Sequence, residues 1–361
     1  MTYFRPDINA MSGYVPGEQP PPGTQVIKLN TNENPYPPSP EALKVLRELE
    51  GELLRRYPDP MAGAFREAAS QVLGVPADWI LVGNGSDDIL TMIIRACCGP
   101  GRGVVYPMPT YVLYRTLTQI QGAEFVEVPY QEDYTLPVEQ LIEAQGAVTF
   151  VASPNSPSGT VASVEQLKEL ATQISGVLAI DEAYVDFAET DALEVAKKYD
   201  NVIILRTLSK GYSLAGLRLG FGVANPALLE GLIKVKDSYN VDAVACAVGA
   251  AAIADQHHKN INAQKIKASR TQMADSLKQL GFHVLPSQAN FLLAQYPGGN
   301  AEFLYKSLKE RGILVRYFNQ SRLTDKLRIT VGTPEQNEAL IKLLSEILTG
   351  EISKSVSPTR S

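Results

Sequence analysis

Seven short runs of β-branched and other apolar residues, separated by stretches of helical spacing, fill the chain from Ala77 to Asp255, and this alternation restricts the available folds more than any other feature. The runs are Trp79–Val82, Gly103–Tyr106, Glu124–Val128, Val148–Val151, Val177–Ile180, Val202–Leu205 and Phe221–Val223. Strands alternating with helices build crossover units, and these assemble into an α/β fold with a mainly parallel sheet. Ligands bind such sheets outside the carboxyl ends of the strands, so the polar residues after each run are where chemistry is expected.

The flanks differ from this centre. The segment through Pro40 is rich in Pro, Gly and Asn, which predicts an extended arm lying across another surface rather than a packed helix. Tyr57 precedes Pro58 and is expected on a loop, because proline disfavours helix for the residue before it. After Asp255 a long helical stretch leads to Gly281, and Val284–Leu285, Asn290–Leu293, Ile313–Val315 and Leu327–Val331 read as strands beside two more helices. The 361 residues are expected to divide into an arm (1–40), a large domain (41–255), a small α+β domain (256–350) and a flexible polar tail (351–361).

Composition narrows the partners. A formal net charge of −6 gives no electrostatic ground for nucleic acid or an anionic membrane, so an anionic ligand must be caught by local groups. No stretch reaches transmembrane length, and Met1 to Asn30 lacks the apolar run of a signal peptide. Cys97, Cys98 and Cys246 suit neither a disulfide framework nor a zinc site, which favours a cytoplasmic location. With only His257, His258 and His283 available, a histidine-based metal or triad mechanism has little material, and no metal is expected.

Two motifs gain meaning together. Asp181-Glu182-Ala183-Tyr184 follows one apolar run, and Thr207-Leu208-Ser209-Lys210 follows the next. Alone, Asp181 has ordinary explanations such as helix capping, and Lys210 reads as a solvated loop lysine. On adjacent strand ends they share one crevice. A desolvated lysine becomes a nucleophile toward an aldehyde, and pyridoxal phosphate requires both such a lysine and a carboxylate that keeps its ring nitrogen protonated. Tyr184 is placed to donate to the ring's phenolate oxygen. Gly83-Asn84-Gly85-Ser86-Asp87-Asp88, before an apolar helical stretch, looks like a phosphate cradle, completed by the Ser209 hydroxyl and the forked donors of Arg218. Tyr111 either stacks on a flat ring or is a half-buried loop tyrosine; the segment Ser153–Gly159 either makes only a tight turn or supplies a polar contact.

With Ala215-Gly216-Leu217-Arg218 and Leu327-Arg328-Ile329-Thr330-Val331-Gly332-Thr333 added in order, the chain from Arg5 to Leu348 resembles fold-type I pyridoxal-phosphate enzymes. Within them it is similar to the histidinol-phosphate aminotransferase branch of the class II aminotransferases. The resemblance implies a large domain with a mainly parallel seven-stranded sheet between helices and a smaller α+β domain. It implies that Lys210 holds the cofactor as a Schiff base, Asp181 binds the pyridine nitrogen, Tyr184 binds the phenolate oxygen and Tyr111 stacks on the ring. Gly85, Ser86, Asp87, Ser209 and Arg218 would hold the phosphate. Tyr57 matches a tyrosine that reaches the neighbouring subunit's phosphate site, which implies a homodimer with shared active sites. Arg328 matches the arginine that clamps the substrate's anionic end, with Arg316, Tyr14, Asn32 and Tyr239 as pocket neighbours. One departure stands out: relatives carry asparagine before the proline of an Asn-Pro-Thr-Gly motif, whereas this chain has Ser156, with Asn155 one residue earlier. Either residue is a candidate for the phenolate contact.

The reaction so implied is a ping-pong transfer from L-histidinol phosphate to 2-oxoglutarate, giving imidazole acetol phosphate and L-glutamate in histidine biosynthesis, with Lys210 moving a proton from the substrate carbon to C4′ of the cofactor. An aromatic amino-acid aminotransferase is the nearest rival, and threonine-phosphate decarboxylase shares fold and cofactor. A non-enzymatic pyridoxal-phosphate-binding regulator would need a DNA-binding module, and no basic recognition helix is visible.

Overall fold

The computed structural model describes residues 3–13, 17–21 and 23–355, with side chains through Gly350. Tyr14 lies outside the described residues. The centre of the molecule is a seven-stranded sheet of β1 (Ile80–Asn84), β2 (Val104–Met108), β3 (Phe125–Pro129), β4 (Val148–Ala152), β5 (Val177–Asp181), β6 (Val202–Thr207) and β7 (Leu219–Ala224). Their spatial order is β1-β7-β6-β5-β4-β2-β3. All neighbours pair in parallel except β7, which runs against both β1 and β6.

Alternation along the central strands decides which face each side chain covers. Leu178, Ile180, Val202 and Ile204 enter one apolar cluster, whereas Ala179, Ile203 and Leu205 enter the other, with Tyr114 and Phe150. Both faces of the sheet are thus covered, which is why these strands read as continuous apolar runs. The same alternation carries Asp181 to the face of Ala179 and Glu182 to the opposite one.

Several helices begin where the local chemistry dictates. Ser39 accepts from the Glu41 amide at 3.1 Å ahead of Pro40–Glu48, and Ser163 with Gln166 forms a reciprocal capping box ahead of Val164–Gln173.

A second layer follows. Strands Arg316–Tyr317, Lys326–Thr330, Phe291–Gln295 and His283–Val284 form an antiparallel sheet in that order, packed beside Gln256–Gln279, Ala301–Glu310 and Pro334–Ser355. The run expected as one strand at Ile313–Val315 is divided: Ile313–Leu314 pairs in parallel with Ile27–Lys28, and Arg316–Tyr317 joins the antiparallel sheet. The arm is thereby stitched into this smaller unit, with Leu29 buried in its core and the Leu29 carbonyl accepting from the Thr330 amide at 2.9 Å.

Two expectations need correction. The arm is not wholly extended, for Pro6–Ala10 is a short helix; proline at its first position supplies the helical φ without a lost donor. The last helix runs through Ser355, past Gly350 where a frayed tail was expected, because Leu340, Leu344, Ile347 and Leu348 keep one face buried and the backbone bonds propagate beyond it. Residues 356–361 lie outside the described residues.

Candidate active site

At the carboxyl ends of β4, β5 and β6 a cavity of about 290 Å³ opens between the two units. Asp181 closes its floor. The carboxylate is 5% exposed; Oδ2 accepts from the Tyr114 hydroxyl at 2.7 Å and Oδ1 from the Ala183 amide at 3.1 Å. Burial outweighs these donors and lifts the carboxyl to about 6.

Lys210 follows β6 and is drawn toward the arm. Its Nζ donates to the Thr31 carbonyl at 3.1 Å, while Asn34 Nδ2 donates to the carbonyls of Lys210 and Gly211 at 3.0 and 3.2 Å. Burial, reinforced by the positive charges of Arg328 and Arg218 against Glu33 and Asp87, lowers the ammonium to about 8. The loop carrying Lys210 is closed at its base, with Leu208 N donating to Leu219 O at 3.0 Å and Leu214 N to Leu208 O at 3.1 Å. Ser209 and Arg218 sit on the two limbs of this loop, and Arg218 Nη1 approaches Ser209 Oγ at 3.5 Å.

Close backbone packing shapes the far wall. Gly85 holds φ +78° immediately before the helix Ser86–Cys97, and a Cβ on Gly220 would come within 2.3 Å of the Ser86 amide nitrogen. The helix amino terminus, Ser209 and Arg218 thus converge as donors on one corner, a match for a dianionic phosphate. Asp87 accepts from Tyr111 Oη at 3.2 Å and pairs with Arg218 at 3.4 Å.

At the opposite end stand Arg316 and Arg328, both on the small antiparallel sheet. Their guanidinium carbons lie 5.2 and 5.4 Å from the ring centre of Phe318, which also lines the cavity. Arg328 donates to Ser156 Oγ at 3.0 Å and to the Asn30 carbonyl at 2.9 Å. Asn32, in the left-handed region at φ 57°, donates to Tyr184 Oη at 2.9 Å, and its side-chain carbonyl accepts from the Thr330 hydroxyl at 3.0 Å. Tyr184 is half-buried, and its desolvation raises the phenol, with Arg328 and Asn32 opposing that rise.

The structure thus brings together Asp181, Tyr184, Lys210, Ser86, Asp87, Tyr111, Ser156, Ser209, Arg218, Asn32, Arg316 and Arg328. It does not bring Asn155 or Tyr239 to the cavity. Asn155 is spent internally: Nδ2 donates to the Pro109 carbonyl at 3.2 Å and to Ser158 Oγ at 2.8 Å, and Oδ1 accepts from Thr110 at 2.7 Å. Tyr239, expected beside the substrate, is half exposed and stacks on the exposed Tyr57 at 4.5 Å. Tyr114, Thr31 and Phe318 escaped the sequence reading. Tyr114 lies three residues after Tyr111, in the turn that opens the helix Leu113–Gln121, where its amide donates to the Tyr111 carbonyl at 3.3 Å.

Behind the cavity, on the opposite sheet face, Arg206 meets Glu182 through Nε and Nη2, each at 2.8 Å, and Asp191 at 3.0 Å. Glu182 Oε1 accepts from the Ala192 amide at 2.6 Å. This pair ties the end of β5 to that of β6.

Comparison with known proteins places these residues in context. The family profile "Aminotransferase class I and II" matches residues 24–344. The chain is 66% identical over 346 residues to histidinol-phosphate aminotransferase 1 of Trichormus variabilis, covering 96% of this chain and 99% of that protein. It is 43% identical to the histidinol-phosphate aminotransferase of Rhodopirellula baltica, over 96% of each. A crystal structure of histidinol-phosphate aminotransferase from Sinorhizobium meliloti in complex with pyridoxal-5'-phosphate superposes with a TM-score of 0.88 at 26% identity, covering 97% of this chain and 98% of that one.

Proposed function

The chain belongs to the class I and II aminotransferases, and from that membership we propose that it moves the amino group of L-histidinol phosphate to 2-oxoglutarate on pyridoxal phosphate held by Lys210. The observation that carries this reading is one cavity with a lysine amine and a buried carboxylate at its centre, a nest of phosphate donors at one end and two arginines at the other. That donor set fits pyridoxal phosphate. When bound, the cofactor supplies an electron sink that stabilises negative charge on the substrate's amine-bearing carbon.

The chain's own residues do the rest. Asp181 keeps a negative charge against the ring nitrogen, while Gly85, Ser86 and Asp87 offer backbone donors and Ser209 and Arg218 offer side chains to the phosphate. Ser156, rather than Asn155, shares the phenolate-oxygen position with Tyr184, because the polar atoms of Asn155 are already engaged. Lys210 Nζ has a lowered basicity that suits both attack on an aldehyde and uptake of a proton from the substrate carbon. Arg328 and Arg316 bind the substrate phosphate in one half-reaction and a carboxylate of 2-oxoglutarate or glutamate in the other. Tyr57, exposed beside Tyr239, reaches the phosphate end of the second subunit's cavity in a homodimer.

The test is a panel of amines added to the cofactor-loaded protein, following conversion of pyridoxal phosphate to pyridoxamine phosphate by absorbance. Histidinol phosphate is expected to give the highest kcat/KM. A higher value for phenylalanine or tyrosine overturns the substrate assignment, and release of CO₂ without an oxo-acid acceptor overturns the reaction type.

A further inference from the structure

The hydroxyl of Tyr114 lies beneath the cavity floor, fully buried, and donates to the Asp181 carboxylate from the side away from the cavity. Resting on the pyridoxal-phosphate reading above, we propose that Tyr114 is a positioning residue for the cofactor's ring nitrogen: its hydroxyl fixes the orientation of Asp181 and keeps that carboxylate charged.

The geometry leaves little freedom. Alternation along β5 turns Asp181 to the sheet face covered by the helix Leu113–Gln121, where Tyr114 is wholly buried. The phenol ring lies parallel to Phe150, with centroids 4.7 Å apart and planes 9° from parallel, and meets Tyr111 edge-on at 5.7 Å. Rotation about the ring axis cannot move the hydroxyl from Asp181 Oδ2, 2.7 Å away. With Oδ1 on the Ala183 amide, each oxygen has one donor in place and keeps a second lone pair for a further donor. The edge contact also joins Tyr114 to the tyrosine expected to stack on the ring, so one side chain orients both the flat contact and the charged contact.

The electrostatics point the same way. A phenol donates to the ionised carboxylate and favours it, whereas burial and the charge of Asp87 on the helix Ser86–Cys97 disfavour it. Tyr184 from the turn after β5, and Lys210 and Arg218 from the loop after β6, line the same cavity. Loss of one hydrogen bond to a charged group leaves burial opposed only by the Ala183 amide, so protonation of Asp181 moves up toward neutral pH. A hydrogen bond of this kind corresponds to a shift of about one pH unit or somewhat more.

The experiment uses the full chain freed of cofactor and titrated with pyridoxal phosphate from pH 5 to 9, comparing the parent with Tyr114→Phe, which keeps the ring and its stacking. Binding by the parent is expected to weaken as pH falls through Asp181 protonation, and the variant's midpoint is expected to lie about one unit higher. The two proteins should bind alike at pH 8.5, and the variant roughly fivefold more weakly near pH 6, approaching roughly tenfold below pH 5. Nitrogen NMR of ring-labelled cofactor at pH 7.5 should show a protonated nitrogen in the parent and a larger neutral fraction in the variant. In an Asp181→Asn background, Tyr114→Phe should add no pH-dependent change. An unmoved midpoint, or an equal loss of affinity at every pH, overturns the proposal. If the parent fails to take up pyridoxal phosphate, the cofactor reading itself falls.

Discussion

Replacing Arg206 by methionine removes the guanidinium that meets Glu182 at 2.8 Å through two nitrogens, and leaves a carboxylate that is 2% exposed without its cation. Loss of one partner from a buried pair costs about 3–5 kcal/mol, a large share of the 5–15 kcal/mol typical of total stability. Asp191 adds little to this figure, because its side chain is 43% exposed and an ion pair of that kind is worth about 1 kcal/mol at most. Burial already raises the Glu182 carboxyl above its ordinary value with Arg206 in place, and without the arginine it rises further. The native state then holds a proton that the unfolded state releases at neutral pH. Stability of the variant, relative to the parent, must fall as pH rises above the parent's native Glu182 value, by up to about 1.4 kcal/mol per unit until the variant's higher native value is passed. Urea unfolding followed by fluorescence, at pH 5.5 and pH 8 with cofactor saturation held equal, measures both effects. The deficit should be larger at pH 8, and Glu182→Gln/Arg206→Met, which keeps an acceptor for the Ala192 amide, should recover most of it. A single-variant cost under about 1 kcal/mol, or a deficit independent of pH, would refute the reasoning.

Three further outcomes are expected. Capture of pyridoxal phosphate by the cofactor-free chain should accelerate as pH rises, with a midpoint near 8 set by burial of Lys210; stopped-flow absorbance showing a midpoint near 10 would contradict it. Arg328→Met should lower kcat/KM for histidinol phosphate by about a hundredfold through loss of charge-assisted hydrogen bonds, with Arg328→Lys recovering only part; a fall of less than about fivefold in steady-state assays would rule out the clamp. Tyr57→Ala and Lys210→Ala should each be inactive alone, yet subunits mixed after mild dissociation should regain about a quarter of parental activity, since half the dimers then hold one intact site. No recovery on mixing would remove Tyr57 from a shared site.

The sheet and the strand ends were legible because covering both faces forces a continuous apolar run, and because chemistry collects where such runs stop. Asp181 and Lys210 were found in that way. The reversed direction of β7 was not, since strand periodicity is the same in either direction. Tyr114 was hidden because a buried aromatic on an amphipathic helix looks like core packing until its hydroxyl is seen to face a carboxylate. The choice between Asn155 and Ser156 depends on which side chain the turn consumes; Ser158, three residues on, is a local partner of Asn155, but the contacts with Thr110 and Pro109 that take its remaining capacity come from more than forty residues away and cannot be read from spacing. Tyr239 does not line the cavity of its own subunit and instead stacks on Tyr57, a pairing distant in sequence that spacing does not reveal.

The closed loop between Leu208 and Leu219 has a consequence for how this protein can change. Lys210, Ser209 and Arg218 travel as one body because the loop is bonded to itself at its base, whereas Arg316 and Arg328 ride on a separate sheet. The engine and the address are therefore built on different chassis. Substitutions in the smaller sheet can rewrite which anionic amine is read while the covalent machinery stays in register, and a shift of one unit against the other alters the grip on substrate before it disturbs the grip on cofactor.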